Sequence, residues 1–202
     1  MIKIAIIGKI CSGKTTIINK LLELKEYNFK VYNFGDYVKK YIYEIFDINI
    51  IENMLSKKAI KNSESFYINN KPRKLIQDFA ENMKILDNDV WIKLLKKDIN
   101  KHISRDISNI IIVGDVRFYN EYQMLKDLGF IFIKLDINKD LQIERIKNTY
   151  PNNYQEHLER LEHISEINID NFKYDYIIDV NNDLEIIINQ LNIILRIIFN
   201  KK

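Results

Sequence analysis

Apolar and polar residues follow two different patterns along this chain, and the two patterns alternate from one end to the other. Short runs of consecutive apolar, mostly β-branched residues are typical of strands buried on both faces. Longer stretches with an apolar residue at every third or fourth position are typical of helices with one buried face. Their alternation predicts a parallel sheet covered by helices, so the predicted fold class is α/β.

The predicted elements have recognisable start and stop signals. Asp36 is expected to cap a helix, Pro72 to occupy a first helical turn, and Gly129 to follow a helix end. Strands are predicted over residues 2–7, 30–34, 109–113, 130–135 and 176–180. Helices are predicted over residues 16–24, 36–46, 72–83, 89–101, 118–128, 139–147 and 184–199. Residues 47–71 are interpreted as a short helix and a loop, and residues 148–166 as a polar insertion.

The first predicted strand leads directly into Gly8-Lys9-Ile10-Cys11-Ser12-Gly13-Lys14-Thr15, which matches a phosphate-binding P-loop. Its glycines allow the backbone to curl around phosphate groups, and the N-terminus of the next helix favours negative charge. Lys14 is expected to reach the β- and γ-phosphates, and Thr15 to offer a hydroxyl to Mg²⁺. The alternative is a glycine-rich turn without a nucleotide. The residues predicted to bind ATP here are Gly8, Lys9, Cys11, Ser12, Gly13, Lys14, Thr15 and Thr16.

Length and charge restrict the possible partners. The 202 residues suit one domain with a buried core. The formal net charge of +3, with lysines spread along the chain, argues against a nucleic-acid polymer. Cys11 is the single cysteine, which excludes an internal disulfide and fits a reducing compartment. Polar residues interrupt the apolar segment 184–199, so it is predicted to pack as an amphipathic helix and not to span a membrane. We therefore expect a cytoplasmic protein, without a signal peptide, that is a monomer or a homodimer.

P-loops occur in GTPases, motor and transport ATPases, and small-molecule kinases, so the loop alone leaves the reaction open. A GTPase would carry Asp-x-x-Gly where this chain has Asp115-Val116-Arg117-Phe118. It would also carry Asn-Lys-x-Asp, but the nearest segment, Asn138-Lys139-Asp140-Leu141, places its aspartate one residue early. A small-molecule kinase is favoured, since the chain is short for an oligomeric ATPase.

Four further segments, taken with the P-loop, resemble the phage-type deoxynucleoside monophosphate kinases, which are relatives of adenylate kinase. They are Phe34-Gly35-Asp36-Tyr37-Val38-Lys39, Arg73-Lys74-Leu75-Ile76-Gln77 with Trp91 downstream, Asp115-Val116-Arg117-Phe118-Tyr119-Asn120-Glu121, and His163-Ile164-Ser165-Glu166. The resemblance covers nearly the whole chain. It implies a three-layer P-loop NTPase fold with a central five-stranded parallel sheet in one domain, residues 1–202. It also implies a nucleoside-monophosphate-binding region at about 36–101 and a lid at about 145–166.

The resemblance implies ATP and Mg²⁺ as cofactors and a small nucleotide, a deoxynucleoside 5′-monophosphate, as the acceptor. The implied catalytic residues are Lys14, Asp115, Arg117 and Arg145, of which Arg145 also binds ATP, and Thr15 and Asp115 are the implied metal ligands. The implied acceptor-binding residues are Asp36, Lys39, Arg73, Gln77, Trp91, Arg117 and Glu121.

The residues themselves support part of this assignment. Arg73 and Gln77 are four positions apart and share a helix face, which is either an acceptor site or merely a solvated surface. Asp115 follows a central strand, where open α/β sheets bind ligands, although a salt bridge with Arg117 or a helix cap is the alternative. Glu121 either positions Arg117 or simply lies on the next helix.

Three alternatives remain open from the sequence. Phosphomevalonate kinase of the animal type has a similar P-loop and Asp-x-Arg arrangement, so the acceptor is not fixed. A non-catalytic ATP-binding module belongs to another functional class. In the predicted lid, Arg160 either stabilises the transferring phosphoryl group or is solvated. His163 is interpreted as a hydrogen-bonded lid residue and not as a catalyst, because phosphoryl transfer requires charge and positioning more than a strong base.

Overall fold

The computed structural model describes residues 1–24, 27–45, 72–105 and 110–200. The chain forms two compact units, one of Met1–Tyr32 with Lys101–Lys202 and the other of Asn33–Asn100. The helix and loop predicted within residues 47–71 lie outside the described residues. So does Asn109, the first residue of the predicted third strand.

The first unit contains a parallel sheet of five strands in the order β2-β3-β1-β4-β5. The strands are β1 (Ile2–Gly8), β2 (Phe29–Tyr32), β3 (Ile110–Val113), β4 (Ile131–Asp136) and β5 (Tyr176–Asp179). In the centre, Ile4 is in register with Ile112 of β3 and Ile131 of β4. Every residue of β3 is buried, as expected for a strand covered on both faces. The predicted α/β class and five-stranded parallel sheet are confirmed.

Helices flank this sheet. They are α1 (Lys14–Leu22), α5 (Tyr119–Asp127), α6 (Lys139–Thr149), α7 (Tyr154–Glu159), a 3-10 turn (Arg160–Glu162), α8 (Ile164–Asn171) and α9 (Leu184–Asn200). The buried face of α9 packs with α1 against one face of the sheet, through Ile187, Leu191, Ile194, Leu195 and Ile198. Leu184, the first residue of this helix, is 46% exposed. Among the described residues, no helix combines the length and apolar character needed to cross a bilayer.

The second unit is helical in its described part, with α2 (Phe34–Ile45), α3 (Pro72–Leu86) and α4, which extends from Val90 to Arg105 and so beyond the unit. Trp91 is central to its packing: the ring contacts those of Phe79 and Tyr41. The Tyr37 hydroxyl donates to the Asp98 carboxylate over 2.9 Å. These contacts join the three helices.

The predicted boundary between the second strand and the next helix is wrong. The strand ends at Tyr32, and α2 already begins at Phe34, so that Gly35 is helical. Asp36 lies in the first helical turn, where a carboxylate favours the helix dipole, and not at the predicted capping position. Asn33, just before the helix, accepts a backbone hydrogen bond from Asp36 over 3.2 Å. The segment 148–166, interpreted only as a polar insertion, contains the helical elements α7 and the 3-10 turn.

The turn after α5 contains Gly129 with φ of 73°, a left-handed conformation that favours glycine. A Cβ atom there would lie 3.7 Å from the Lys3 ammonium, which is ordinary contact. Gly129→Ala is therefore expected to destabilise the protein only through the backbone, by about 1–2 kcal/mol. Denaturant unfolding measures this loss. Gly129→Asn is the matched control and should lose less, since asparagine tolerates this conformation better; equal losses would contradict the backbone explanation.

Candidate functional site

The loop between β1 and α1 has the curled backbone that a phosphate-binding loop requires. Cys11 has φ of 58° and Gly13, which caps α1, has φ of 94°. The Ser12 N–H donates to the Lys9 carbonyl over 3.2 Å and closes the turn. A left-handed conformation costs a non-glycine residue about 1–2 kcal/mol, so other contacts must hold Cys11 in place. The predicted strand–loop–helix unit is confirmed.

Ser12 is fully buried in this loop, and its Oγ atom has no hydrogen-bond partner within the part of the chain that the structure describes. A buried polar atom without a partner is costly, and an oxygen of a bound phosphate group would satisfy it. The loop therefore fits the triphosphate of a nucleotide. Thr15 and Thr16, in the first turn of α1, are both exposed.

Gly8 occupies a position with no room for a side chain. A Cβ atom at this position would lie 2.5 Å from Ser12 Oγ and 3.1 Å from the Leu135 Cβ on the neighbouring strand. Gly8→Ala is expected to lower the free energy of unfolding by about 1–3 kcal/mol, as overpacking does elsewhere, and to weaken ATP binding. Thermal unfolding and equilibrium ATP binding measure the two effects.

The matched control for this prediction is Gly8→Ala combined with Ser12→Ala, which removes the hydroxyl that the new methyl group meets. The double variant should regain part of the lost stability. A Gly8→Ala variant as stable as the native protein, with unchanged ATP affinity, would contradict the close approach.

Lys14 lies against the first two residues of the loop. Its ammonium group donates to the carbonyl oxygens of Gly8 and Lys9, the latter over 2.8 Å. Burial lowers the pKa of Lys14 to about 8; the Arg117 guanidinium acts in the same direction, and the Glu166 carboxylate opposes both. The ammonium and the guanidinium are thus close enough to interact electrostatically.

Arg117, which follows β3, is fixed by two carboxylates. Its guanidinium forms an ion pair with Glu166, whose side chain is 4% exposed against 36% for that of Arg117. Its backbone N–H donates over 2.7 Å to Glu121, which also accepts from the Phe118 N–H over 3.0 Å. Glu121, predicted to contact the acceptor, therefore uses its carboxylate to hold the start of α5 and the backbone of Arg117.

The sequence did not assign a role to Glu166, although the segment 163–166 was part of the resemblance. One of its oxygens pairs with Arg117 and the other accepts a 2.7 Å hydrogen bond from the Ile10 N–H of the P-loop. Gln142 was missed altogether. Its amide donates over 2.9 Å to the Ile10 carbonyl, and its place three residues before Arg145 on α6 is the signal that was available.

Arg145 lies beside the loop. Its guanidinium donates over 3.0 Å to the carbonyl of Val180, just after β5, and lies 3.9 Å from where a Cβ atom on Gly13 would be.

Cys11 is half-buried, and burial raises the pKa of its thiol, while a hydrogen bond with the Thr149 side chain opposes this. The thiol is therefore protonated at neutral pH and is not a reactive thiolate.

The residues proposed for magnesium also belong to this unit. Asp115 follows β3, the neighbour of β1, and its carboxylate raises the pKa of Lys14 electrostatically. Among the described residues, no group of three or more histidine, cysteine and acidic side chains is arranged to hold a metal ion. A hydroxyl and a carboxylate still fit Mg²⁺, which prefers oxygen ligands and usually retains water and substrate phosphates.

The segment predicted to form a lid, at about 145–166, has side chains that pack against one another. The rings of Tyr150 and His157 stack with centroids 3.6 Å apart, and His157 is 1% exposed. The His163 N–H donates to the carbonyl of Arg160 over 3.0 Å, and His163 itself is exposed. After the lid, Asp170 of α8 forms a 2.7 Å ion pair with Lys9 of the P-loop.

The remaining predicted acceptor residues belong to the second unit. The Asp36 carboxylate accepts a 2.8 Å hydrogen bond from the Asn33 amide and lies 3.5 Å from the Lys39 ammonium. Gln77 is exposed on α3; Arg73 is on the same helix, but its side chain lies outside what the structure describes. Trp91 is only 5% exposed, and its indole N–H donates to the Ala80 carbonyl over 3.2 Å, so its ring belongs to the core of the unit.

Comparisons with known proteins identify the fold. No protein-family model matches the chain, and no curated protein matches it significantly. Among solved structures, TT1252 from Thermus thermophilus is similar with a TM-score of 0.60 and 17% identity, over 96% of each chain. Dephospho-CoA kinase from Campylobacter jejuni is similar with a TM-score of 0.56 and 21% identity, over 99% of this chain and 98% of that one. A gluconokinase from Sinorhizobium meliloti 1021 is similar with a TM-score of 0.53 and 15% identity, over 98% of this chain and 94% of that one. The chain therefore has the fold of the P-loop kinases.

Proposed function

We propose that this protein is a Mg²⁺-dependent kinase that transfers the γ-phosphate of ATP to a deoxynucleoside 5′-monophosphate. The observation that carries the proposal is that two cations are held at the same loop. The Lys14 ammonium donates to the Gly8 and Lys9 carbonyls, and the Arg117 guanidinium pairs with Glu166, whose other oxygen accepts from the Ile10 N–H of the loop. Lys14 belongs to the loop that a donor triphosphate would occupy, and Arg117 is held beside it by Glu166. Transfer between two phosphates needs cations that stabilise the charge spread over the transferring group.

In the proposed reaction, an acceptor phosphate oxygen attacks the γ-phosphorus while the bond to the β–γ bridging oxygen breaks. The products are ADP and the deoxynucleoside diphosphate, and no covalent enzyme intermediate is formed. The protein contributes orientation and charge, which is most of what phosphoryl transfer requires. Lys14 and Arg117 stabilise the transferring group, and Arg145, anchored to Val180, adds a third cation beside the loop. Closure of the lid at about 145–166 would exclude water, the competing acceptor.

Thr15 and Asp115 are the residues proposed to hold Mg²⁺, Thr15 through its hydroxyl and Asp115 through its carboxylate. Both follow adjacent parallel strands at their carboxyl ends, where open α/β sheets bind ligands. When bound, Mg²⁺ would neutralise charge on the β- and γ-phosphates.

The nucleotide nature of the acceptor is supported by the resemblance of the four segments to deoxynucleoside monophosphate kinases. Asp36, Lys39, Arg73, Gln77 and Trp91 are proposed to bind the acceptor on this basis. Since Trp91 is buried and bonded within its unit, we expect it to support the base pocket and not to stack openly on the base. The base and the sugar are to be determined by experiment.

The proposal is tested by measuring Mg²⁺-ATP-dependent ADP release with a panel of acceptors. The panel contains the deoxy- and ribonucleoside monophosphates, phosphomevalonate, dephospho-CoA and gluconate, with a sample lacking acceptor. Turnover with one or more deoxynucleotides supports the proposal. Turnover with another member alone overturns the acceptor assignment, and ATP binding without any turnover indicates a non-catalytic nucleotide-binding module.

A further inference from the structure

The peptide groups of Ile10 in the P-loop are held from two sides by buried polar side chains. Its N–H donates to Glu166 on α8 over 2.7 Å, and its carbonyl accepts from Gln142 on α6 over 2.9 Å. Both side chains belong to residues that are 3% exposed. Two helices distant in sequence thus fix one residue of the loop.

Ile10 directly precedes Cys11, the non-glycine residue with a left-handed backbone. Such a conformation persists only where the surrounding structure over-determines it. A hydrogen bond to a buried carboxylate is among the stronger ones in proteins, and a buried amide bond adds to it. The two contacts to Ile10 are therefore suited to keep the loop curled when no nucleotide is present.

The two oxygens of Glu166 have separate partners. One accepts from Ile10 in the loop, and the other pairs with the guanidinium of Arg117, which follows β3. A single buried carboxylate therefore links Arg117 to the loop. The Ile10 contact concerns ATP binding, whereas the Arg117 contact concerns the transfer step.

We propose that Gln142 and Glu166 are positioning residues: together they hold the P-loop ready for phosphate, and Glu166 also aligns Arg117 with it. The part that concerns Arg117 rests on the proposed kinase function. The part that concerns the loop requires only that the protein binds ATP.

Gln142→Met removes the amide donor at nearly constant side-chain length and leaves the Ile10 carbonyl without its partner. We expect the dissociation constant for Mg²⁺-ATP to rise roughly tenfold, the effect of a buried group losing its hydrogen bond, with a much smaller change in kcat. Gln123→Met is the matched control, because the Gln123 amide donates to Asp127 at the surface of α5. Equilibrium ATP binding without acceptor gives the first value.

Glu166→Gln keeps an oxygen for Ile10 but turns an NH₂ group towards the guanidinium. We expect kcat to fall roughly 10- to 100-fold, because misplacement of a charged group is costly in transfer, while ATP affinity changes less than threefold. Glu162→Gln, an exposed neighbour, is the control. If Glu166→Gln does not fold, Glu166→Asp serves instead, since it keeps the charge but is too short to reach both partners.

A merely structural role would lower the melting temperature of both variants and move kcat and ATP affinity together. We expect the two effects to separate instead: Gln142→Met should lose ATP affinity, and Glu166→Gln should lose kcat. Unchanged ATP affinity in Gln142→Met overturns the loop part of the proposal. Unchanged kcat in Glu166→Gln overturns the Arg117 part. If the native protein phosphorylates no deoxynucleotide, the proposed function fails, but the ATP-binding measurement still decides the role of Gln142.

Discussion

Lys14→Met is expected to lower kcat/KM for ADP release by roughly 100- to 1000-fold, the range seen when one preorganised donor to a developing charge is removed. The ammonium donates to the Gly8 and Lys9 carbonyls, so it lies at the loop that a phosphate group would enter. Methionine preserves most of the length and removes only the cation. Steady-state ADP release with Mg²⁺-ATP and the best acceptor measures the change.

The control for Lys14→Met is Lys20→Met on the same helix. Lys20 forms a surface ion pair with Glu23, 2.8 Å long, and surface pairs contribute little. This variant should retain full activity. A Lys14→Met protein that keeps more than a third of the native activity would mean that the P-loop cation is not used in the reaction.

Arg117→Met is expected to have the second-largest effect, a loss of roughly 100-fold or more in kcat/KM, with ATP affinity altered much less. Arg117 is a cation that no phosphate-loop motif requires, and its partly exposed guanidinium pairs with Glu166, which also holds Ile10 of the loop. A bidentate fork suits a phosphate group better than an ammonium does, so Arg117→Lys should restore only part of the activity. Initial rates over a range of acceptor concentrations give the separate constants.

Loss of Arg117 also leaves the buried Glu166 without its ion-pair partner, which destabilises a protein. The double variant with Glu166→Gln separates the two effects: it should recover stability and remain inactive. Arg105→Met, at the exposed end of α4, is the control for removing an arginine. Full activity in Arg117→Met would contradict the role of this residue on the acceptor side.

The sheet and the P-loop were predictable because their signals are local. Continuous apolar runs such as that of β3 mark buried parallel strands, and glycines with a following lysine mark the loop. The start of α2 was not predictable in this way, because Phe34 and Gly35 resemble a strand end and a turn. Two contacts support their helical conformation. The Asn33 carbonyl accepts a hydrogen bond from the Asp36 N–H, and the ring of Phe34 is buried.

The candidate site was predictable only where a motif carries it. Lys14, Asp115 and Arg117 come from recognisable segments, but Gln142 and Glu166 act through contacts to Ile10 that span more than 130 residues of sequence. A glutamine and a glutamate on helices ordinarily lie on the surface, and the spacing of Gln142 from Arg145 indicates a shared helix face but not burial. Trp91 stays a predicted acceptor residue, and its ring contacts with Tyr41 and Phe79 show that it also packs within the second unit.

We propose that this chain transfers a phosphoryl group from ATP to a deoxynucleoside monophosphate. The most direct measurement is to incubate the native protein with Mg²⁺, γ-³²P-labelled ATP and each deoxynucleoside monophosphate, and to separate the labelled products. We predict label in a deoxynucleoside diphosphate, dependent on Mg²⁺ and absent with Lys14→Met. Label only in inorganic phosphate, or no release of label with any of these acceptors, would contradict the account.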